Sequence, residues 1–193
     1  MTDARRLSQA ISEGDGISVI VQVHAVDDAR AAEEQGAEGL ALVRGVDGIG
    51  EATALPVLWL GDPAAAAEME SCRAHAVAVW AGGGGERLRE LHGTLGDGLE
   101  LVVGVANEQE LELALELDAE IFLLSGGESD DDQHPVDRVL ELLPDVPAGK
   151  LAIAELAAAT PDEVDELERA GFDAVLVPPG NVGELVGGAP PEV

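Results

Sequence analysis

The stretch "LELVVGVANEQELELALELDAEIFLL", residues 99–124, reads as strand, helix and strand in immediate succession. Its first run carries Val102, Val103 and Val105 with almost no polar alternation, the pattern of a strand buried on both faces. Asn107 then offers a helix N-cap, with Glu110 three residues on to complete it. In the helix that follows, Leu111, Ala114, Leu115 and Ala119 share one face, while Glu108, Glu112 and Glu116 point to solvent. A second continuous apolar run begins at Glu120. Strands joined this way lie parallel in one sheet, with the helix covering it.

The same unit recurs along the chain. Apolar runs of strand length stand at 17–23, 39–44, 56–61, 76–81, 99–106, 120–126, 150–156 and 173–179. Between them, "DPAAAAEMESCRA" suggests a helix with Asp62 as N-cap and Pro63 in its first turn. "TPDEVDELERAG" supplies a capping box from Thr160 and Glu163, and residues 26–35 and 85–95 are helical as well. The link "GVDGIGEATAL" has room for two helical turns at most, and "NVGELV" for a stunted last helix. Eight strand-helix units predict an α/β fold, a compact single-domain (β/α)8 TIM barrel over residues 1–193. Residues 1–16 read as a lead-in and 187–193 as a tail. Such barrels typically take about 250 residues, so the loops over this one are short.

Composition narrows the partners. The chain has 39 Asp plus Glu against 10 Lys plus Arg, for a net charge of −29, and its one lysine is Lys150. Phosphate backbones and anionic membranes require clustered cations, so neither nucleic acid nor membrane is an expected partner. A surface this acidic repels itself at low salt, whereas at molar salt the Debye length falls to about 3 Å. The expected setting is a salt-rich cytoplasm. The single Cys72 excludes an intramolecular disulfide and a thiolate metal cluster. No apolar run approaches the roughly 20 residues of a membrane span.

In a (β/α)8 barrel the C-terminal strand ends and their loops carry function. Here they hold Gln22 and His24 after strand one, Arg44 after strand two, Asp62 after three, Trp80 after four, Asn107 after five, Ser125, Gly126 and Glu128 after six, Glu155 after seven, and Gly180 and Asn181 after eight. Gln22 and His24 share parity and should face the same side. Three other motifs have plain structural readings. "GGESDDDQHP" gathers Asp130, Asp131, Asp132 and His134, but its spacing matches no calcium loop and suits a solvated surface. "AGGGGERL" lacks the lysine of a phosphate-binding loop and reads as a turn into a helix. Trp59 and Trp80 read as barrel filling, and Cys72 as a packed residue within a helix.

From strand five onward, "LELVVGVANEQELELALELDAEIFLL" and "LAIAELAAATPDEVDELERAGFDAVLV" resemble the second half of indole-3-glycerol phosphate synthase. "VIVQVHA" and "LPVLWLGD" resemble that family's strand-one and strand-three patterns more loosely. The resemblance implies a lyase of tryptophan biosynthesis, with a strand-three lysine as general acid, assisting lysine and glutamates, and backbone amides that grip a substrate phosphate. Residue by residue most of this is missing. The strand-one Glu and Lys fall on Gln22 and His24, the strand-three Lys on Leu60 and the strand-five Glu on Gly104. The strand-seven glutamate is retained as Glu155, but the family's E-S-G-I becomes "ELAA" and its G-E-S after strand eight becomes "PPG". Proline has no amide hydrogen to offer a phosphate. With strand one starting near Ile17, the family's long N-terminal extension has no counterpart either.

These substitutions point to a divergent barrel without synthase activity, a pseudoenzyme or a module that binds a small phosphorylated or anionic ligand. Glu155, His24 and Arg44 are the expected acid–base and charged groups; Gln22, Ser125, Gly126, Gly180 and Asn181 are the expected ligand contacts. An active synthase or related carbon–carbon lyase using the same residues is the alternative, and a scaffold subunit of an assembly is a third reading. No cofactor or metal is expected; an oligomer or a partner enzyme of the tryptophan pathway is.

Overall fold

Eight parallel strands pair in chain order and close on themselves in the computed structural model, which describes residues 6–14, 16–94, 98–127, 133–180 and 182–186. The strands are β1 (Ser18–Gln22), β2 (Gly39–Leu42), β3 (Val57–Trp59), β4 (Ala76–Trp80), β5 (Glu100–Val105), β6 (Ile121–Ser125), β7 (Leu151–Glu155) and β8 (Ala174–Val177). Closure comes from the β1–β8 ladder, which runs from Ser18 against Ala174 to Val21 against Val177. Helix α1 (Leu7–Ser12) precedes the barrel. The helices α2 (Val26–Glu34), α3 (Ile49–Ala52), α4 (Ala66–Ser71), α5 (Gly85–Thr94), α6 (Glu108–Leu115), α7 (Pro135–Leu142), α8 (Pro161–Ala170) and α9 (Val182–Leu185) follow strands β1 to β8 in turn. This is the (β/α)8 barrel that the repeated apolar runs predicted, with each run trimmed at its ends.

Strand parity divides the apolar residues into two cores. Ile20, Ala41, Leu58, Ala78, Val102, Leu123, Ile153 and Leu176 point into the barrel and pack on one another. Their neighbours, such as Val21, Leu42, Trp59, Val79, Val103, Leu124, Ala154 and Val177, point outward under the helices. Both sets are buried, which is why the strands read as continuous apolar runs. Among the described residues no helix is long and apolar enough to cross a membrane.

The caps expected at α6 and α8 are present. Asn107 Oδ1 accepts from the Glu110 amide at 3.0 Å, and Thr160 and Glu163 satisfy each other's backbone groups in a capping box. Helix α4 departs from its expected start. It begins at Ala66, because the Asp62 carboxylate accepts from the Ala64 amide at 2.9 Å and folds residues 62–65 into a turn. Cys72, expected within the helix, stands at the C-terminal cap of α4, fully buried, and its Sγ accepts from the Val46 amide at 3.4 Å.

Residues 7–12 of the lead-in form a plug. Leu7, Ala10 and Ile11, spaced three and four apart, are buried, and Leu7 and Ile11 join the inner core at the N-terminal end of the barrel. The Glu100 carboxylate, at the start of β5, accepts from the Ser8 amide at 3.1 Å and from the Ser8 hydroxyl. Next to it, His75 Nδ1 accepts from the Val57 amide at 3.1 Å, and burial pushes the His75 pKa down against the opposing pull of Glu100. Lys150 also lies at this end, just before β7, with Nζ 2.8 Å from Asp118 and 2.7 Å from Glu120. Its hydrogen bonds to these two carboxylates, Asp118 foremost, raise its pKa. The chain's one lysine is therefore held away from the mouth where function collects in this fold.

Candidate functional site

At the C-terminal mouth, parity aims the last inward residue of each strand toward the axis. The register pairs Ser125 of β6 with Glu155 of β7, so the hydroxyl and the carboxylate lie side by side. Gln22 of β1 arrives on the other side of β8. A cavity of about 290 Å³ opens among Gln22, Ser125, Gly126, Glu155, Ala157 and Pro178. Gln22, Ser125 and Glu155 are each partly buried there. Among the lining residues none is Lys, Arg or His.

The β6 loop is fixed by close contact. Gly126 is buried, and a Cβ on it would lie 2.8 Å from the Pro135 carbonyl oxygen at the start of α7. Only glycine lets the loop and helix approach this closely. Behind the wall, Arg138 Nη1 donates to the Gly126 carbonyl at 2.8 Å. The Gly127 amide turns back to Ser125 Oγ at 3.3 Å, which leaves the serine proton free to point into the cavity.

Backbone donors at Leu156 and at the end of β8 are engaged or missing. The Leu156 amide donates to the Leu176 carbonyl at 3.0 Å, and the Leu156 side chain turns outward into the core. Pro178 and Pro179 carry no amide hydrogen. These prolines therefore put ring carbons, not amide donors, at the end of β8.

The opposite half of the mouth is apolar. Trp80 ends β4 with its indole packed across Gly104 of β5, where an added Cβ would meet Trp80 Cε3 at 2.6 Å. Trp80 is still 37% exposed, and Val43, just past β2, is 48% exposed; these are the large exposed hydrophobic residues among those described. A second cavity, of about 200 Å³, lies beside the indole among Gly61, Pro63, Ala78 and Gly83. Trp59 fills a different space from the one expected of it. It lies outside the barrel, buried under the helices, and its Nε1 donates to the Asp62 carbonyl at 3.0 Å.

The mouth thus gathers Gln22, Ser125, Gly126 and Glu155 from the expected site residues. His24, Arg44 and Gly180 are exposed and do not line the cavity. No side-chain hydrogen bond joins His24 to Glu155; instead the His24 amide donates to Asp28 at 3.1 Å. Asn181 lies outside the described residues, as do Glu128, Asp130, Asp131 and Asp132 of the acidic loop. His134 of that loop approaches Glu163 at 3.5 Å. Among the described residues no group of three or more His, Cys, Asp or Glu is placed to hold a metal ion. Trp80 is at the strand-four end expected of it, but its packing across Gly104 was not legible in the sequence, because that pairing depends on strand register.

Chemically, the cavity offers a carboxylate, a hydroxyl and a primary amide within one polar wall. These can orient a ligand and exchange protons with it, but no cation in the lining stands ready to protonate a leaving hydroxyl.

Comparison with known proteins agrees on architecture and gives a partial family likeness. No family model matches the chain. It is 34% identical over 83 residues to the indole-3-glycerol phosphate synthases of Chlorobium limicola and Alkaliphilus metalliredigens, a match that covers 43% of this chain. The match spans about a third, 32%, of the length of those relatives. Among solved structures, the N-acetylmannosamine-6-phosphate 2-epimerase of Clostridium perfringens superposes with a TM-score of 0.64 at 17% identity, over 86% of this chain and 88% of that one. The 2,3-dimethylmalate lyase, of the PEP mutase/isocitrate lyase superfamily, does so with a TM-score of 0.60 at 15% identity, over 93% and 80%. At these identities the two structures speak for the fold.

Proposed function

We propose that this chain is a small-molecule-binding (β/α)8 barrel, akin to indole-3-glycerol phosphate synthase, that does not perform the synthase's ring closure. One observation carries the reading: the mouth keeps Glu155 but lines its cavity with no cation, while the one lysine of the chain pairs with Asp118 and Glu120 at the other end. Leu60 stands where the resemblance places the general acid, and Trp80 fills the space at Gly104 where it places a second carboxylate. A formed cavity with no cation in its lining suits binding better than the synthase's ring closure.

The test is made on the purified protein in molar KCl, the setting its charge suggests. Supplied with the synthase's indole-ring precursor at high protein concentration, it is expected to release no product. Ligands that enter the cavity raise the melting temperature by mass action, about 2.7 kcal/mol of stabilisation at a hundred times Kd. Turnover that disappears in Glu155→Gln would overturn the reading.

A second reading is catalysis on a phosphorylated sugar derivative by Glu155, His24 and Arg44. It is favoured by the exposure of His24 and Arg44 beside the mouth, with no side-chain partner for either among the described residues. A panel of sugar phosphates separates the two, since a phosphate held by Arg44 would bind more weakly to Arg44→Ala. Unchanged melting with every ligand, in a protein that elutes as a defined complex, would point to a scaffold instead.

A further inference from the structure

The two halves of the mouth differ in a way that selects a ligand. Trp80 offers an aromatic face that Gly104 keeps flat against the wall, and Val43 extends the apolar rim. Further round, Ser125 on β6 and Glu155 on β7 offer a hydroxyl and a carboxylate. The indole covers β5 and the carboxylate ends β7, so the two are separated by roughly 10 Å along the barrel wall, two strand spacings. Glu155 is the one charged residue in the cavity lining, and Arg138 behind the wall is engaged by the Gly126 carbonyl. From this charge complementarity, and resting on the binding role proposed above, we infer that the mouth takes an aromatic amine: a planar ring stacked on Trp80 and an ammonium donating to Glu155.

The parts fit the chemistry of such a ligand. An exposed indole face gains from an offset-stacked ring, and the gain is larger on a ring already held in place. A half-buried carboxylate that accepts from an ammonium forms a charge-assisted hydrogen bond, stronger than a neutral one. Ser125 accepts from the Gly127 amide, which leaves its own proton for a ligand. An anionic ring of the same shape meets Glu155 with like charge and finds no backbone donor at Leu156 or Pro178.

The chain has two tryptophans and no tyrosine, and Trp59 is fully buried, so quenching of fluorescence by acrylamide reports on Trp80. The probe is phenethylamine in molar KCl, compared with phenylacetate for charge and with ethylamine for the ring. Phenethylamine is expected to protect Trp80 saturably, at a half-saturating concentration about tenfold below that of either comparison compound. Glu155→Gln should raise that concentration about tenfold and bring phenethylamine level with phenylacetate. Equal protection by phenylacetate, an unchanged value in Glu155→Gln, or no saturable protection by phenethylamine overturns the inference. A sugar phosphate that protects Trp80 where the amine does not would overturn it too, while leaving the binding role in place. Failure of the binding role itself shows separately, as turnover of the indole-ring precursor.

Discussion

Replacing Gly104 with alanine tests the arrangement on which the mouth depends. The added Cβ would lie 2.6 Å from Trp80 Cε3 and 2.7 Å from Cδ2, against the 3.5 Å or more that carbon atoms keep at ease. About 1 Å of movement must be found, either in the indole or in β5. Overpacking of this kind costs about 1–3 kcal/mol. Because Trp80 is 37% exposed and can lift toward solvent, the lower half of that range is expected, about 1–2 kcal/mol. For a domain of this size each kcal/mol moves the melting temperature by about 2–4 °C, so a fall of roughly 2–8 °C should follow. In a Trp80→Ala background the obstacle is gone. There Gly104→Ala should be neutral, or stabilise by up to about 1 kcal/mol through the unfolded chain. The assay is a double-mutant cycle by urea unfolding at constant KCl, followed by far-UV circular dichroism because one variant loses a fluorophore. A cost for Gly104→Ala that is the same in both backgrounds would refute the packing argument, and so would stabilisation in the presence of Trp80.

Three further outcomes are expected. The pKa of His75 is held below its ordinary 6.5 by burial, so the unfolded chain takes up its proton first as pH falls. The stability owed to neutral His75 is therefore complete above pH 6.5 and lost as pH drops through the lower folded value; pH-dependent unfolding of His75→Gln should lack that part of the slope. Glu100→Gln weakens the anchor of α1 on the barrel and should cost about 1–2 kcal/mol, with faster amide hydrogen exchange across residues 7–12 as its specific sign. Finally, a net charge of −29 should make the melting temperature rise with KCl from 0.1 M, where the Debye length is about 10 Å, to 1 M, where it is about 3 Å. A flat melting temperature across that range would remove the halophilic reading.

How much could be read from the chain follows from how each feature is built. Strands buried on two faces need continuous apolar runs, and the caps of α6 and α8 are local, with Asn107 serving Glu110 and Thr160 serving Glu163. Both were legible without a structure. Helix α4 was misplaced at its start because the Asp62 carboxylate can cap a helix or close a turn, and only the local backbone decides between them. The plug at residues 7–12 was read as a lead-in: its apolar spacing is short, and the carboxylate that anchors Ser8 comes from Glu100, 92 residues away. Within the site, Glu155, Gln22, Ser125 and Gly126 were named from strand ends and resemblance, and the barrel brings them to one cavity.

By itself the sequence determined that eight alternating units would form one closed barrel, and that no lysine would stand at a C-terminal strand end. Those are properties of periodicity and residue type. The tertiary structure decided that Trp59 lies outside the barrel, that Trp80 covers Gly104, and that Lys150 spends its charge at the opposite end. Inward or outward facing depends on strand parity, and contact across the sheet on register. Both are set by how neighbouring strands pair around the barrel, and pairing joins residues that no local pattern connects.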